Sequence, residues 1–354
     1  MHMSTVAPSF QPGDILTRAD IRKELGGSPQ GGICPSVEKK TVVLYSDIKS
    51  GEQYGYHDGW HREEDRLGPL FEYTGAGTEG DQTFTGATGA GNAAILQHAL
   101  DDRTLHLFIG HGKVPGTGIR THRYIGAFEV DRERPYVIRQ ARDKSQQDRD
   151  VIVFRLRPLG TYQRSEDDVI PPVTQTRVNF VQSGTRRRPE APARLRQAWE
   201  RDRSAATATY RREQIAAEFG DILTNRQHRV GRLEVQVRGV EEAMEAALFD
   251  QSERTIYEPA DSNSRQALRD ALMQLMDLRM HLSRIEKGMP IRCMVLAPGP
   301  PSEDTRQLLS EYGVGVVYRN ANGDFSELPN DGQNPPTDGV PSTFPCVNCP
   351  TRSI

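Results

Sequence analysis

The chain has 354 residues, 36% of them hydrophobic and 26% charged, with a formal net charge of −3. That length and composition suit two soluble domains with real cores, and the charge excludes a global field that draws in nucleic acid, so any phosphate contact must come from a local basic face. No apolar run approaches membrane-spanning length, the N-terminus lacks a basic-then-apolar signal pattern, and four cysteines, only the last two close together, point to the reducing cytoplasm.

In chain order, the first element is a helix near residue 18. Thr17 can cap it, Asp20 follows three residues later, and Pro12-Gly13 punctuates the entry. TVVLYSD, from Thr41, reads as a strand. The stretch from Tyr45 to Ile95 then interleaves aromatic residues, glycines and acids more densely than any other part of the chain. Tyr54, Tyr56, Trp60, Phe71 and Tyr73 can wall a pocket. Gly55, Gly59, Gly75 and Gly77 let the backbone approach a ligand, and Asp58 and Thr74 can supply directional hydrogen bonds. Such a set can hold one flat polar ring, with aromatic faces stacked on it and a carboxylate accepting from an amino group on its edge. A Gly-rich hairpin with ordinary core aromatics has the same composition.

LHLFIG, YIGAFEV and VIVFRLRP are further strands, with one helix after Asn92. Strands predominate, so a curved sheet or partial barrel is expected. Lys113, in GHGKVPGTG, and Arg120, His122 and Arg123 are the candidates for a local basic face, although a solvated hairpin accounts for any one of them. Residues 161–192, rich in proline, threonine and arginine, read as an extended linker. Its Arg186, Arg187 and Arg188 suit either a DNA backbone or solubility.

Beyond it, ARLRQAWERDRSAATATYRREQIAAEFGDILTN has helical spacing and RVGRLEVQVRG reads as a strand. AALFDQSERTIYEPADS reads as strand, turn and strand, and SRQALRDALMQLMDLRMHL is a helix capped by Ser262 or Ser264. IRCMVLAP is a buried strand, SEDTRQLLSEYG a helix closed by Gly313, and VGVVYR the last strand, an α/β arrangement. Asp250 and Glu258 end neighbouring strands, where a turn can bring both carboxylates to one sheet edge and so hold Mg2+. Residues 322–354 have a disordered composition. Their Cys346 and Cys349 could be half a zinc site or a redox pair, without a second ligand pair. His57, His61, His98 and His106 lack metal-ligand spacing, and Cys34 and Cys293 read as small buried hydrophobes.

Two resemblances extend this reading. GYHDGW, then FEYTGAGTEGDQ, then GN, resemble the SRA domain, which reads methylated cytosine by flipping it from the duplex. The likeness spans roughly residues 12–160 and is nearest the branch found in modification-dependent restriction enzymes. It implies an N-terminal curved β-barrel with flanking helices and a modified-base pocket of Tyr56, Asp58, Trp60, Tyr73 and Thr74. Asn92 opens the adjacent helix and joins Lys113, Arg120 and Arg123 as DNA-backbone contacts.

LFD…IYEPADS…RQALRDALMQLMDL resembles the PD-(D/E)XK nuclease fold. This implies Asp250 and Glu258 as metal ligands, Arg269 and Gln274 as helix residues of the site, and Glu213 as a weaker extra ligand. The triplet departs from the family at Ala260, where a lysine would position or activate the attacking water, and Leu278 stands where a tyrosine is expected. Either the nuclease is degenerate or Ala260 replaces the original residue.

Together the resemblances imply an α+β protein with an SRA-like domain at 1–160, a linker at 161–192, a nuclease-like domain at 193–321 and a tail at 322–354. The expected activity is that of a cytoplasmic bacterial, type IV-like restriction protein. It would flip 5-methylcytosine or 5-hydroxymethylcytosine in double-stranded DNA and cut nearby with Mg2+, as a homodimer because two strands need two sites. The alternative is a non-catalytic reader whose second domain dimerises or binds DNA. A small-molecule binder using the aromatic pocket is a third class.

Overall fold

The computed structural model describes residues 8–48, 51, 57–182, 190–201, 205–240, 243–285 and 290–328. The chain forms two compact units: Met1–Thr174 with Arg186–Thr207 and Gly239–Glu242, and Gln175–Thr185 with Ala208–Arg238 and Ala243–Ile354. Among the described residues, no helix is long and apolar enough to cross a membrane.

The first unit opens with β1 (Ile15–Thr17) and α1 (Arg18–Leu25). The expected capping box forms: the Thr17 hydroxyl accepts from Asp20 N, and the Asp20 carboxylate accepts from Thr17 N. β2 (Ile33–Ser36), β3 (Thr41–Ser46), β4 (Gly59–Trp60) and β5 (Phe71–Thr74) follow, then α2 (Gly86–Leu96). Long strands β6 (Thr104–Lys113), β7 (Arg120–Val130), β8 (Tyr136–Arg142) and β9 (Asp148–Tyr162) complete the sheet.

The strand order is β2-β3-β6-β7-β9-β5-β4, with β1 added to β7 and β8 to β9. β3 and β6 run parallel and the other pairs antiparallel. Among the described residues this path stays open from β2 to β4, so the expected barrel is a curved, unclosed sheet. Its core is aromatic: Trp60, Phe71, Phe128 and Phe154 are fully buried. A further helix, α3 (Ala193–Arg201), expected at the head of the second domain, instead sets Leu195 into this core, and its Arg194 pairs with Asp101 at 2.6 Å.

The second unit is built on seven strands in the order β10 to β16: Arg177–Gln182, Val230–Gln236, Met244–Asp250, Thr255–Pro259, Arg292–Ala297, Val314–Arg319 and Phe325–Leu328. β13, β14 and β15 are parallel, as the continuously apolar IRCMVLAP requires. The stretch expected as linker supplies edge strand β10, paired to β11, and β16 follows the strand expected to be last.

α4 (Ala205–Asn225) sets Ile215, Phe219 and Leu223 against one sheet face, with Leu248, Tyr257 and Leu296. α5 (Arg265–Ile285) covers the other face. It buries Leu268, Ala271, Leu272, Leu275, Leu278 and Leu282, the stripe that helical spacing demands. Ser264 caps it, accepting from Ala267 N at 3.3 Å. α6 (Glu303–Glu311) is capped by Ser302 and ends before Gly313, whose φ of 70° lies in the left-handed region.

Candidate functional site

Three strand ends of the first unit converge on one carboxylate. Ser46 closes β3, Thr74 closes β5, and Asp58 immediately precedes β4. The Ser46 hydroxyl donates to Asp58 Oδ2 at 2.7 Å, and the Thr74 amide donates to Asp58 Oδ1 at 2.8 Å. Burial pushes the Asp58 carboxyl up from its ordinary 3.8 to about 6. The bonds from Ser46 and Thr74 oppose this rise, and the charge of Glu72 adds to it. Each carboxylate oxygen still has acceptor capacity after one bond, so Asp58 can take a further donor from a ligand.

The loop after Thr74 is held by side chains from elsewhere. Asn92 Oδ1 accepts from Ala76 N at 2.7 Å, and its Nδ2 donates to Ala76 O at 3.1 Å and Thr83 O at 2.9 Å. Gln82 Nε2 donates to Gly75 O at 2.6 Å and Gly77 O at 3.1 Å, while its Oε1 accepts from Ile152 N at 2.8 Å. Arg149, buried beside them, donates from Nη1 to Gly77 O at 2.6 Å. Sequence patterning assigns no site role to Ser46, Gln82 or Arg149. Their only signal is polarity within or beside apolar strands.

The expected pocket is thereby redrawn. Asp58 and Thr74 meet; Tyr54 and Tyr56 lie outside the described residues. Trp60 does not wall a site. It is fully buried, edge-on to Phe71 at 5.3 Å and tilted against Phe128 at 5.7 Å, because its ring packs into the aromatic core from the end strand β4. The ring of Tyr73 is likewise in the core, and its hydroxyl donates to Gly32 O at 3.1 Å and Tyr45 O at 3.3 Å.

Glu72, between Phe71 and Tyr73, serves the fold instead. Arg139 grips it through two bonds of 2.6 and 2.7 Å, His61 Nε2 lies at 3.0 Å and Arg155 at 3.9 Å. Burial would raise this carboxyl, but Arg139 foremost, then His61 and Arg155, hold it at about 2.

The expected backbone contacts divide. Lys113 is exposed at the end of β6, and the Arg120 side chain is 71% exposed, 3.2 Å from Asp47. Arg123 is not a free cation: it makes a two-pronged bond to buried Asp168 at 2.7 and 2.6 Å and donates to Gln163. Asn92 neither opens its helix nor reaches the surface; it lies six residues inside α2, fully buried. His122 is also buried. Burial, with Arg18 and Arg120 nearby, lowers it to about 4, so it is no cation at neutral pH.

In the second unit the expected acid pair does not form. Asp250 pairs across the strands with Thr255, and Leu248 with Tyr257. Residues directly opposite share a sheet face and neighbours along a strand alternate. Asp250 therefore shares the face of Thr255 and Tyr257, and Glu258 faces the other way, about 10 Å further along. Asp250 is moreover fully buried and engaged, by His228 Nδ1 at 2.5 Å and by the amides of Ser252 at 2.9 Å and Glu253 at 3.3 Å.

Ala260 packs in the core, its amide bonded to Leu296 O at 2.9 Å. Gln274 donates to the Glu245 carbonyl at 3.3 Å and so braces β12. Arg269 is exposed on α5, and Glu213 lies half-buried on α4. The two acids named for Mg2+ are thus not brought together on one sheet face, and among the described residues no group of three or more His, Cys, Asp or Glu could hold a metal ion. Cys34 and Cys293 are buried free thiols, as expected, and Cys346 and Cys349 lie outside the described residues.

Comparison with known proteins gives this site a class. Residues 12–177, just under half of the chain, match the family model described as ScoMcrA-like, SRA domain. Every residue of the Asp58 site falls inside that match. Among solved structures, the chain is similar to the type IV phosphorothioation-dependent restriction endonuclease ScoMcrA, at 20% identity over 44% of this chain and 29% of that one, with a TM-score of 0.31. It is also similar to the DNA recognition domain of the cytosine modification-dependent restriction endonuclease LpnPI, at 15% identity over 40% and 66%, with a TM-score of 0.31.

The MspJI restriction endonuclease, in complex with a 27-mer oligonucleotide, is similar at 11% identity over 90% and 80%, with a TM-score of 0.26. The chain spans only 29% and 42% of the two ScoMcrA structures it resembles. Likeness at these levels transfers no residue role to this chain. No curated protein matches the chain.

Proposed function

We propose that the first unit reads a modified base in double-stranded DNA, as part of a bacterial restriction system. The observation that carries this is the Asp58 carboxylate, built between Ser46 and Thr74 inside the stretch that matches an SRA domain. A base flipped from the duplex loses its stacking, at a few kcal/mol, and the pocket must restore that loss. Asp58 accepts from the exocyclic amino group of 5-methylcytosine or 5-hydroxymethylcytosine. Exposed Lys113 and Arg120 touch the phosphates.

For the second unit, a specific observation favours the non-catalytic reading. Asp250 and Glu258 face opposite sides of their sheet, and Ala260 supplies no amine. We therefore assign the chain a reader's role, with the nuclease-like unit used for dimerisation or added DNA contact, and derive no step through magnesium.

The test is fluorescence anisotropy, at fixed salt, on duplexes carrying one central 5-methylcytosine, 5-hydroxymethylcytosine or cytosine. The parent should prefer a modified duplex, and Asp58→Ala should erase that preference while leaving affinity for the unmodified duplex. Equal affinities in the parent, or equal losses on all three duplexes, would sink the proposal. Fixed salt is essential because phosphate contacts weaken steeply as salt rises.

A further inference from the structure

We infer that Asn92 is a positioning residue: it holds the 75–77 loop so that the Thr74 amide stays aimed at Asp58. This rests on the reading of Asp58 as the base-accepting group. Asn92 lies in the interior of α2 with no solvent exposure, a place where an apolar side chain would pack without any polar cost. It nevertheless uses both sides of its amide, the oxygen on Ala76 N and the nitrogen on Ala76 O and Thr83 O. Gln82, also buried, does the same for Gly75 O, Gly77 O and Ile152 N. Gly75 N donates to Ile152 O at 2.7 Å. All four backbone polar groups of Gly75 and Ala76 are thus occupied from within the protein, and the loop has one shape before any ligand arrives.

Gly75 shows how closely that clamp is fitted. A Cβ there would lie 2.8 Å from Asn92 Oδ1 and 2.9 Å from Gln82 Oε1. Its role is close approach, so alanine would push the two amides away without removing any hydrogen-bonding group. Thr74 is the next residue back, and its amide is one of the donors on Asp58. Loosening the clamp therefore reaches the carboxylate through two peptide units. Pre-ordering of this kind improves binding by reducing what must be ordered on association.

The experiment uses the full chain and two variants of different kind. Asn92→Asp keeps the shape and the acceptor for Ala76 N, but turns a carboxylate toward the carbonyls of Ala76 and Thr83. Gly75→Ala retains the Asn92 side chain but displaces it. Both should weaken binding to the modified duplex about tenfold, the worth of roughly one hydrogen bond. Binding to the unmodified duplex should stay within about twofold of the parent, since phosphate contacts dominate it.

In the free protein, hydrogen exchange at Ala76 should speed up in both variants while exchange across β9 is unchanged, a local loosening that general destabilisation would not give. If the parent prefers the modified duplex and both folded variants keep its preference, this inference falls and the reading of Asp58 stands. If the parent shows no preference, the reading itself fails and the inference falls with it. If Asn92→Asp does not fold, Gly75→Ala decides alone.

Discussion

Asp58→Asn should strengthen the fold at neutral pH while removing the group on which base reading depends. The carboxyl rises from 3.8 to about 6 because burial disfavours its charge more than Ser46 and Thr74 favour it. A rise of that size corresponds to about 3 kcal/mol. For an acid whose folded value is raised, the stabilising contribution is fully present below the unfolded value and is lost as pH climbs through the folded one. The parent therefore gives up about 3 kcal/mol at this position between roughly pH 4 and pH 7.

Asparagine keeps an oxygen for the Thr74 amide and carries no charge, so it forgoes that loss. The stability difference, variant minus parent, should move in the variant's favour by about 3 kcal/mol across the interval, less some of the roughly 1 kcal/mol tied to the altered bonds. Urea unfolding followed by tryptophan fluorescence measures it. Both tryptophans, Trp60 and Trp199, belong to the first unit, so the signal reports that unit alone. A difference that stays flat with pH, or one that moves against the variant, would show that the carboxylate does not carry a buried charge at neutral pH.

Other expectations follow from the same contacts. Glu72→Gln leaves Arg139 and Arg155 facing a neutral amide and should cost about 3–5 kcal/mol in first-unit stability by urea unfolding. The parent's own Glu72 contribution, present above 4.5, should fade as pH falls toward about 2. Arg123→Ala strips Asp168 of its two-pronged partner and should also cost about 3 kcal/mol by the same assay. The salt dependence of DNA affinity should not change in that variant, because Arg123 neutralises a carboxylate rather than a phosphate. Ala260→Lys drives an ammonium into a packed core and should lower second-unit stability in differential scanning calorimetry. It should give no cleavage of methylated or hydroxymethylated plasmid with magnesium or manganese, and cutting by this variant would restore the nuclease reading.

What the sequence made legible was whatever repeats at short range. The capping box at Thr17 and Asp20, the α5 stripe from Leu268 to Leu282 and the apolar strand at Arg292–Ala297 are each written into local spacing. The pairing of Asp58 with Thr74 came from the order of motifs, and the structure brings the two together. Aromatic residues misled because Trp60 and Tyr73 have one composition whether they line a pocket or fill a core; only the strand face decides, and the sheet path sets that face over a long range. Asn92 misled for a similar reason. An asparagine near a helix start reads as a cap, whereas α2 begins at Gly86 and turns Asn92 inward. β10 was hidden because its short apolar set, Val178, Phe180 and Val181, lies inside a stretch whose proline, threonine and arginine read as linker.

Three carboxylates, Glu72 and Asp250 buried and Asp58 half-buried, differ in how the fold answers them. Glu72 is answered by the charge of Arg139, and Asp250 by His228 and two backbone amides, so each is a finished interaction with its own fold as partner. Asp58 is different in kind. Among the described residues, the groups that bond it come from Ser46 and Thr74 and are neutral, and burial leaves its charge costly even with them in place. A costly charge at the meeting of three strand ends lowers the stability of the fold. Groups of this kind cluster at functional sites, where a ligand can supply the missing compensation. A donor on the incoming base would complete the set that Ser46 and Thr74 begin, and that completion lowers the carboxyl as binding proceeds. Binding of the modified duplex should therefore release up to one proton near pH 6, measurable as a dependence of binding heat on buffer ionisation, and its absence would remove Asp58 from the interface.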